Sequence, residues 1–408
     1  MKKILIVTGI GLTVLTVVYL QFRGTQASAD PRGSAYAGSK ACARCHRDVY
    51  SSYLHTAHYI ASIPATEQTV HGSFADSSNT FPINESEKVV MEKRHSGLFQ
   101  TYYLNGKAKQ RKRFDIVFGG VKGETYLYWQ GNELHQLPLS YFSSQHRWST
   151  SPGYGHSFLD FSRSRAIGSQ CMECHASYIA DQKDQLQQLA NSEQFDKSTL
   201  VYSIDCERCH GPGAQHIDFQ TNNPGVKTAR FITTYKSLSR TQKLDMCAQC
   251  HSGKPGVSLR STFGFLPGDT LAKFKMPAVS RQSDTAHIDV HGNQLQLLQS
   301  SKCFIYSKMD CATCHDVHQN TRGNDAIYTQ KCVACHTVQN HNYCKMSDKL
   351  SAGVLKANCI VCHMPAQQTK VISVEVADKE QPVQFFVHTH HIAIYPQEMK
   401  KILAFINK

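Results

Sequence analysis

Residues 205–216 read DCERCHGPGAQH, placing two cysteines and two histidines within twelve positions. Cys206, Cys209 and His210 make one Cys-x-x-Cys-His unit, and His216 follows beyond the turn residues Gly211, Pro212 and Gly213. The unit occurs seven times: Cys42/Cys45/His46, Cys171/Cys174/His175, Cys206/Cys209/His210, Cys247/Cys250/His251, Cys311/Cys314/His315, Cys332/Cys335/His336 and Cys359/Cys362/His363. This is the c-type haem attachment signature. Two thiols at that spacing form thioethers with both vinyl groups of one haem, and the adjacent imidazole becomes the proximal ligand of its iron. Zinc ribbons also pair cysteines, but they do not require a histidine directly after every second one. The sequence therefore implies seven covalent haems c, with iron, as cofactors.

That load changes what the length means. A chain of 408 residues would ordinarily hold two or three domains, but porphyrins supply apolar core that side chains would otherwise provide. The expected fold is mainly α with extensive loops around a haem core, plus a small antiparallel β-sheet insertion. The net charge of +13 would point to nucleic acid or an anionic surface. Seven haems bring roughly fourteen propionates, which cancel most of it, so no nucleic-acid partner is expected.

The intervals between motif starts are 129, 35, 41, 64, 21 and 27 residues, crowding the motifs toward the C-terminus. The first haem segment is 30–60, followed by a β-rich, haem-free insertion over 61–165. Motifs two to four occupy 166–256, a loop-rich connector spans 257–300, and 301–408 holds motifs five to seven with a C-terminal tail. Within the insertion, FQTYYLNGKAKQRKRFDIVF alternates aromatic and polar residues around Asn105-Gly106, a strong hairpin signal. GETYLYWQGNELHQLPLSYF repeats the pattern around Gly131-Asn132. Short helices are expected over RDVYSSYLHTAHYIAS after Cys45 and DQKDQLQQLANSEQF after Cys174.

At the N-terminus, Lys2 and Lys3 precede an apolar run over residues 4–20 and then Ala27-Ser28-Ala29. Residues 1–29 read as a cleaved signal peptide or as an uncleaved N-terminal membrane anchor. Both place the folded part outside the cytoplasm, in a periplasmic setting, either free or anchored to the inner membrane. Fourteen of the sixteen cysteines belong to motifs. The remaining Cys303 and Cys344 either pair, at a gain of about 4 kcal/mol from loop closure, or stay as two thiols.

Fifteen histidines remain beyond the seven proximal ones, so distal ligands must be chosen by spacing. His216 lies too close to His210 to reach the opposite face of the same iron, and should ligate a neighbouring one. His318, three residues after His315, obeys the same logic. His58, His291, His390 and His341 complete the distal candidates, and His71, His95 and His135 read as surface residues in or beside the sheet. Bis-histidine ligation implies low reduction potentials.

CHGPGAQH, CATCHDVH and NCIVCHMP, together with an opening Cys-x-x-Cys-His, aromatic helix and His, resemble a multihaem cytochrome c superfamily. It includes hydroxylamine oxidoreductase and the tetrahaem cytochromes that accept its electrons. LPLSYF, RWSTSPGY, FLPGDTL, SSKCFIYSKMDCATCHDVH and THHIAIYP resemble multihaem members of that group, some fused to tetratricopeptide repeats. The resemblance implies ligand roles for His58, His216, His318 and His390. It also marks a departure: relatives often carry a histidine pair where this chain has Val121-Lys122.

Two functions fit these features. In the first, closely packed six-coordinate haems carry electrons between redox partner proteins, a membrane quinol oxidase or other cytochromes. In the second, one haem with an open distal position acts on a small nitrogen or sulfur oxyanion, with His146, Arg147 and Arg163 as candidate nearby groups. No catalytic residue is assigned, and the oligomeric state stays open.

Overall fold

The computed structural model describes residues 30–143, 145–154, 161, 164–182, 193–253, 257–276, 288–340, 343–347, 350–351, 353, 358–374 and 383–406. The leader over 1–29 lies outside the described residues, as do His341, His156 and Arg163. Among the described residues no helix is long and apolar enough to cross a membrane.

The strands in chain order are β1 (Ser62–Pro64), β2 (Thr80–Pro82), β3 (Glu87–Arg94), β4 (Gly97–Leu104), β5 (Lys107–Arg113), β6 (Ile116–Gly119), β7 (Glu124–Gln130), β8 (Glu133–Gln136), β9 (Leu139–Phe142), β10 (Arg147–Thr150), β11 (Arg165–Ala166), β12 (Ala176–Asp181), β13 (Phe195–Tyr202), β14 (Ala366–Val374) and β15 (Val383–His388). They form a seven-stranded sheet in the order β1-β6-β7-β8-β11, with β9 joining β7 and β10 joining β9. A four-stranded sheet, β2-β3-β4-β5, and two ribbons, β12-β13 and β14-β15, complete the set. The named pairings are antiparallel.

This overturns the expectation of a mainly α protein with a small β insertion. Helix and strand are nearly balanced, at 29% and 25%. The physical reason is that haem motifs need little helix. Ser169–His175, Cys206–His210 and Cys359–His363 are turns of five to seven residues, and Cys311–Thr313 is a single 3-10 turn. Arg240–His251, with a Ser239/Gln242 capping box, is a longer exception. After the first motif the chain forms helix Arg47–Tyr53 and then the 3-10 turn Tyr59–Ala61. After the second it enters β12 instead of the expected helix; residues 183–192 of that expected helix lie outside the described residues.

Strand alternation divides the core into two layers. Ile116 and Phe118 of β6 and Leu127 of β7 pack with Met172, Ala176, Ile179 and Phe195. The intervening Val117, Tyr126 and Tyr128 face Val89, Met91 and Leu98 of the four-stranded sheet, with Trp148. The large sheet is thus sandwiched between the small sheet and the segment carrying the second motif. The buried Gln100 amide stitches the two sheets, donating to the Leu139 carbonyl (2.8 Å) and accepting from its N–H (3.2 Å). Asn105 and Gly106 both adopt positive φ, 50° and 73°, closing the β4–β5 hairpin as a primed turn requires. His135 corrects another expectation. It is 5% exposed, stacks on Tyr128 and bonds Glu133 at 2.9 Å, because its strand is covered on both faces.

Phe114, 1% exposed, packs edge-on against Tyr126 at 4.7 Å and against Trp148 at 6.0 Å. Phe114→Ala is expected to destabilise this layer by about 3–5 kcal/mol, seen as a lower thermal midpoint of the far-ultraviolet strand signal. An unchanged midpoint would show that the sandwich does not rest on this cluster.

Candidate functional site

The seven motifs come together in pairs of rings and pairs of sulfurs. His46 faces His216 with ring centres 6.4 Å apart and planes 17° from parallel. His210 faces His318 at 6.1 Å and 14°, and His315 faces His390 at 6.1 Å and 24°. His58 meets His251 at 6.3 Å, with the rings tilted by 67°. A metal between two imidazoles, with bonds of about 2 Å and about 1.1 Å from each nitrogen to its ring centre, needs roughly 6.2 Å between centres. All four spacings match that requirement, so the residues present fit six-coordinate haem iron. In every pair one ring is the last residue of a motif and the other comes from a different part of the chain.

Second contacts orient these rings. The Nδ1 atoms of His175, His210, His216 and His363 pair with the carbonyls of Ala61 (3.1 Å), Thr233, Arg230 and Ala393 (each 2.9 Å). Donation from Nδ1 fixes the tautomer that leaves Nε2 free to bind iron. Although several ring faces reach solvent, the crowded protein around them removes hydration. Desolvation first, and neighbouring imidazoles second, bring His58 and His390 down to about 4. His210 is lowered chiefly by desolvation despite its bond to Thr233, and His251 and His315 are lowered chiefly by desolvation as well. These groups are therefore neutral near pH 7, the form that ligates a metal.

The cysteine sulfurs, thiols here, stand where thioether sulfurs would be. Cys42 hydrogen-bonds Cys206, Cys174 bonds Cys250, Cys247 bonds Cys311 and Cys332 bonds Cys359. Each contact joins two motifs. Cys209 lies in the electrostatic neighbourhood of Cys247, and Cys314 in that of Cys332. The resulting order is first, third, fourth, fifth, sixth and seventh, with the second branching from the fourth. Cys45, Cys171, Cys335 and Cys362 are also free thiols. Cys303 and Cys344 are likewise free, which corrects the proposed bridge: Cys303 neighbours Cys314 and Cys332, whereas Cys344 neighbours Cys362.

Residues inside the motifs do work that the motif spacing does not reveal. Arg208, between Cys206 and Cys209, donates to the carbonyls of Thr262 and Glu173. The Glu173 carboxylate accepts from the Thr262 N–H (3.1 Å) and hydroxyl (3.0 Å), and Lys275 donates to the Gln249 carbonyl (2.8 Å). Motifs two, three and four are thus linked by a buried polar network. Arg32 adds the N-terminal segment, pairing with Asp30, Asp205 and Glu207 at 2.8–2.9 Å while its own side chain is 5% exposed. Glu207 also accepts from the N–H groups of Ala37, Gly38 and Gly213. The legible signal was charge inside a motif otherwise buried by its haem.

The second motif is different. The ring of His175 lies parallel to Phe118 at 4.4 Å, and among the described residues no imidazole makes a ring contact with it. His291 is within its electrostatic reach. His336 belongs to the sixth motif, and His341 lies outside the described residues.

Removing one member of a pair gives a direct check. His216→Ala is expected to convert one low-spin iron of the haem-loaded protein to high spin in electron paramagnetic resonance and to raise one reduction potential. An unchanged low-spin count would dissociate His216 from the iron opposite His46.

Comparison with known proteins agrees with this geometry. Residues 143–211 match the family "Cytochrome c554 and c-prime". A stretch of 206 residues, 49% of this chain, is 26% identical to the dissimilatory sulfite reductase MccA of Wolinella succinogenes. The match spans only 24% of that relative's length. The fold is similar to the crystal structure of the outer cell wall cytochrome OcwA, with a TM-score of 0.53 and 18% identity, covering 90% of this chain and 81% of that one. Cys-x-x-Cys-His units, imidazoles spaced for axial ligation and these likenesses lead to one conclusion: the chain is a multihaem cytochrome c with a haem electron-transfer role.

Proposed function

We propose that the chain holds seven covalent haems c and conducts electrons outside the cytoplasm between redox partner proteins, a membrane quinol oxidase or other cytochromes. The observation that carries this reading is the set of four imidazole pairs at 6.1–6.4 Å. Bound haem supplies the one-electron chemistry. The residues of this chain contribute position and environment. Crossed histidines fix each metal relative to the next motif, and the sulfur contacts bring successive motifs edge to edge. Burial around Glu173, Glu207 and Arg208 keeps water out between motifs two, three and four. Two closed axial positions per metal leave no place for a substrate, which is what a conductor needs.

A second reading, turnover of a small nitrogen or sulfur oxyanion at one open haem, is favoured by a single observation. His175 is packed on Phe118 rather than set opposite another imidazole. The sulfite reductase relative is consistent with it, although the shared stretch is too small a part of that protein to transfer its activity.

The mass of the purified protein should exceed that of its polypeptide by seven porphyrins, and oxidised spectra should be dominated by low-spin iron. Fewer than seven porphyrins would overturn the haem count. A majority of high-spin centres would overturn the conductor.

A further inference from the structure

The hairpin loop between β6 and β7 leaves Phe118 at the second motif and passes through Gly119 and Gly120, with φ of 82° and 134°. Both values lie where only glycine is unstrained. A side chain at Gly123 would put its Cβ 2.7 Å from the Phe142 ring, so the loop is pressed against the β9–β10 turn. This geometry presents Lys122 to a cavity of about 400 Å³ lined also by Ser143, Gln145, Gln384 and Phe386. Lys122 donates to the Phe386 carbonyl.

Its neighbours are cationic or neutral. Arg322 is close enough to depress the Lys122 ammonium after desolvation, and Lys122 in turn acts on His291. His291 is itself the imidazole in electrostatic reach of His175. Among the described residues neither Lys122 nor Arg322 has a carboxylate partner. Asp289, the acid nearest His291, is occupied by the N–H groups of His291 (2.7 Å) and Lys370 and by the Thr369 hydroxyl (3.1 Å). Two cations held together without a counter-charge repel one another, and an anion between them removes that cost. The same cavity offers a hydroxyl and two amides as uncharged donors.

We propose that Lys122 and Arg322, with Ser143 and Gln145 on the facing turn, form a binding pocket for a small oxyanion beside the metal held by His175. This rests on the reading of the second motif as a haem with an open axial position. It also replaces the groups expected from the sequence: His146 and Arg147 follow the lining residue Gln145, and Lys122 takes the site instead. The strongest rival is that the two cations neutralise a haem propionate.

The test uses the haem-loaded full chain. Carbon monoxide added to the reduced protein reports an open iron independently of the cations, and one reactive haem is expected, unchanged in His291→Ala. Nitrite and sulfite titrated into the oxidised protein should each shift the Soret band with one anion per chain. Lys122→Gln and Arg322→Gln should each weaken that binding about tenfold or more, with carbon monoxide binding intact and Lys122→Arg largely restoring affinity. No carbon monoxide binding, or a new high-spin haem in His291→Ala, would overturn the open position and the pocket with it. Carbon monoxide binding combined with anion affinity indifferent to both glutamine variants would overturn the pocket alone. Glutamine variants that shift a reduction potential while leaving anion affinity unchanged would assign the cations to a propionate and overturn it too.

Discussion

The arrangement depends on a requirement of the metal: two nitrogens on one axis, one on each side of a flat macrocycle. This chain meets it by borrowing. His46 is answered by His216, His210 by His318, His315 by His390 and His251 by His58. No segment can complete its own site, so the molecule is held together by ligation across long sequence distances and not by a sequence of separable domains. The polar network from Arg32 through Glu207, Arg208 and Glu173 reinforces the same non-local pattern. Its charges tolerate burial because each carboxylate is met by several donors.

The sheets serve this arrangement from one side. One face of β6 builds the sandwich with the four-stranded sheet, and the other sets Phe118 against His175. The β body is therefore the wall of the second motif, and the loop that departs from it decides what stands beside that motif. The relatives' histidine pair is replaced here by Val121 and Lys122, so a ligating segment has become a charged one.

Legibility in the sequence varied with the range of the interaction. Attachment cysteines and proximal histidines are local, and their spacing displays them fully. The turn at Asn105-Gly106 is local too. Distal ligands are not: proximity along the chain could say that His216 and His318 must look elsewhere, but only the fold shows where. The balance of helix and strand was misjudged because seven motifs suggested seven helices, while five residues suffice for one. Cys303 and Cys344 looked like partners for want of others, and the fold places them beside different motifs. The roles of Glu173, Glu207 and Arg208 were hidden at motif positions that the spacing rule treats as free.

Ligand borrowing also sets a timetable for maturation. A polypeptide emerges from the ribosome and crosses a membrane with its N-terminus leading. His46 then waits for His216, 170 positions behind it, whereas His251 arrives to find His58 already delivered. The first metal site is thus among the earliest to be started and is finished only after the third attachment motif has appeared. Until then its vacant side is open to any passing imidazole, so fidelity at that site has to come from the order of delivery as well as from the finished geometry.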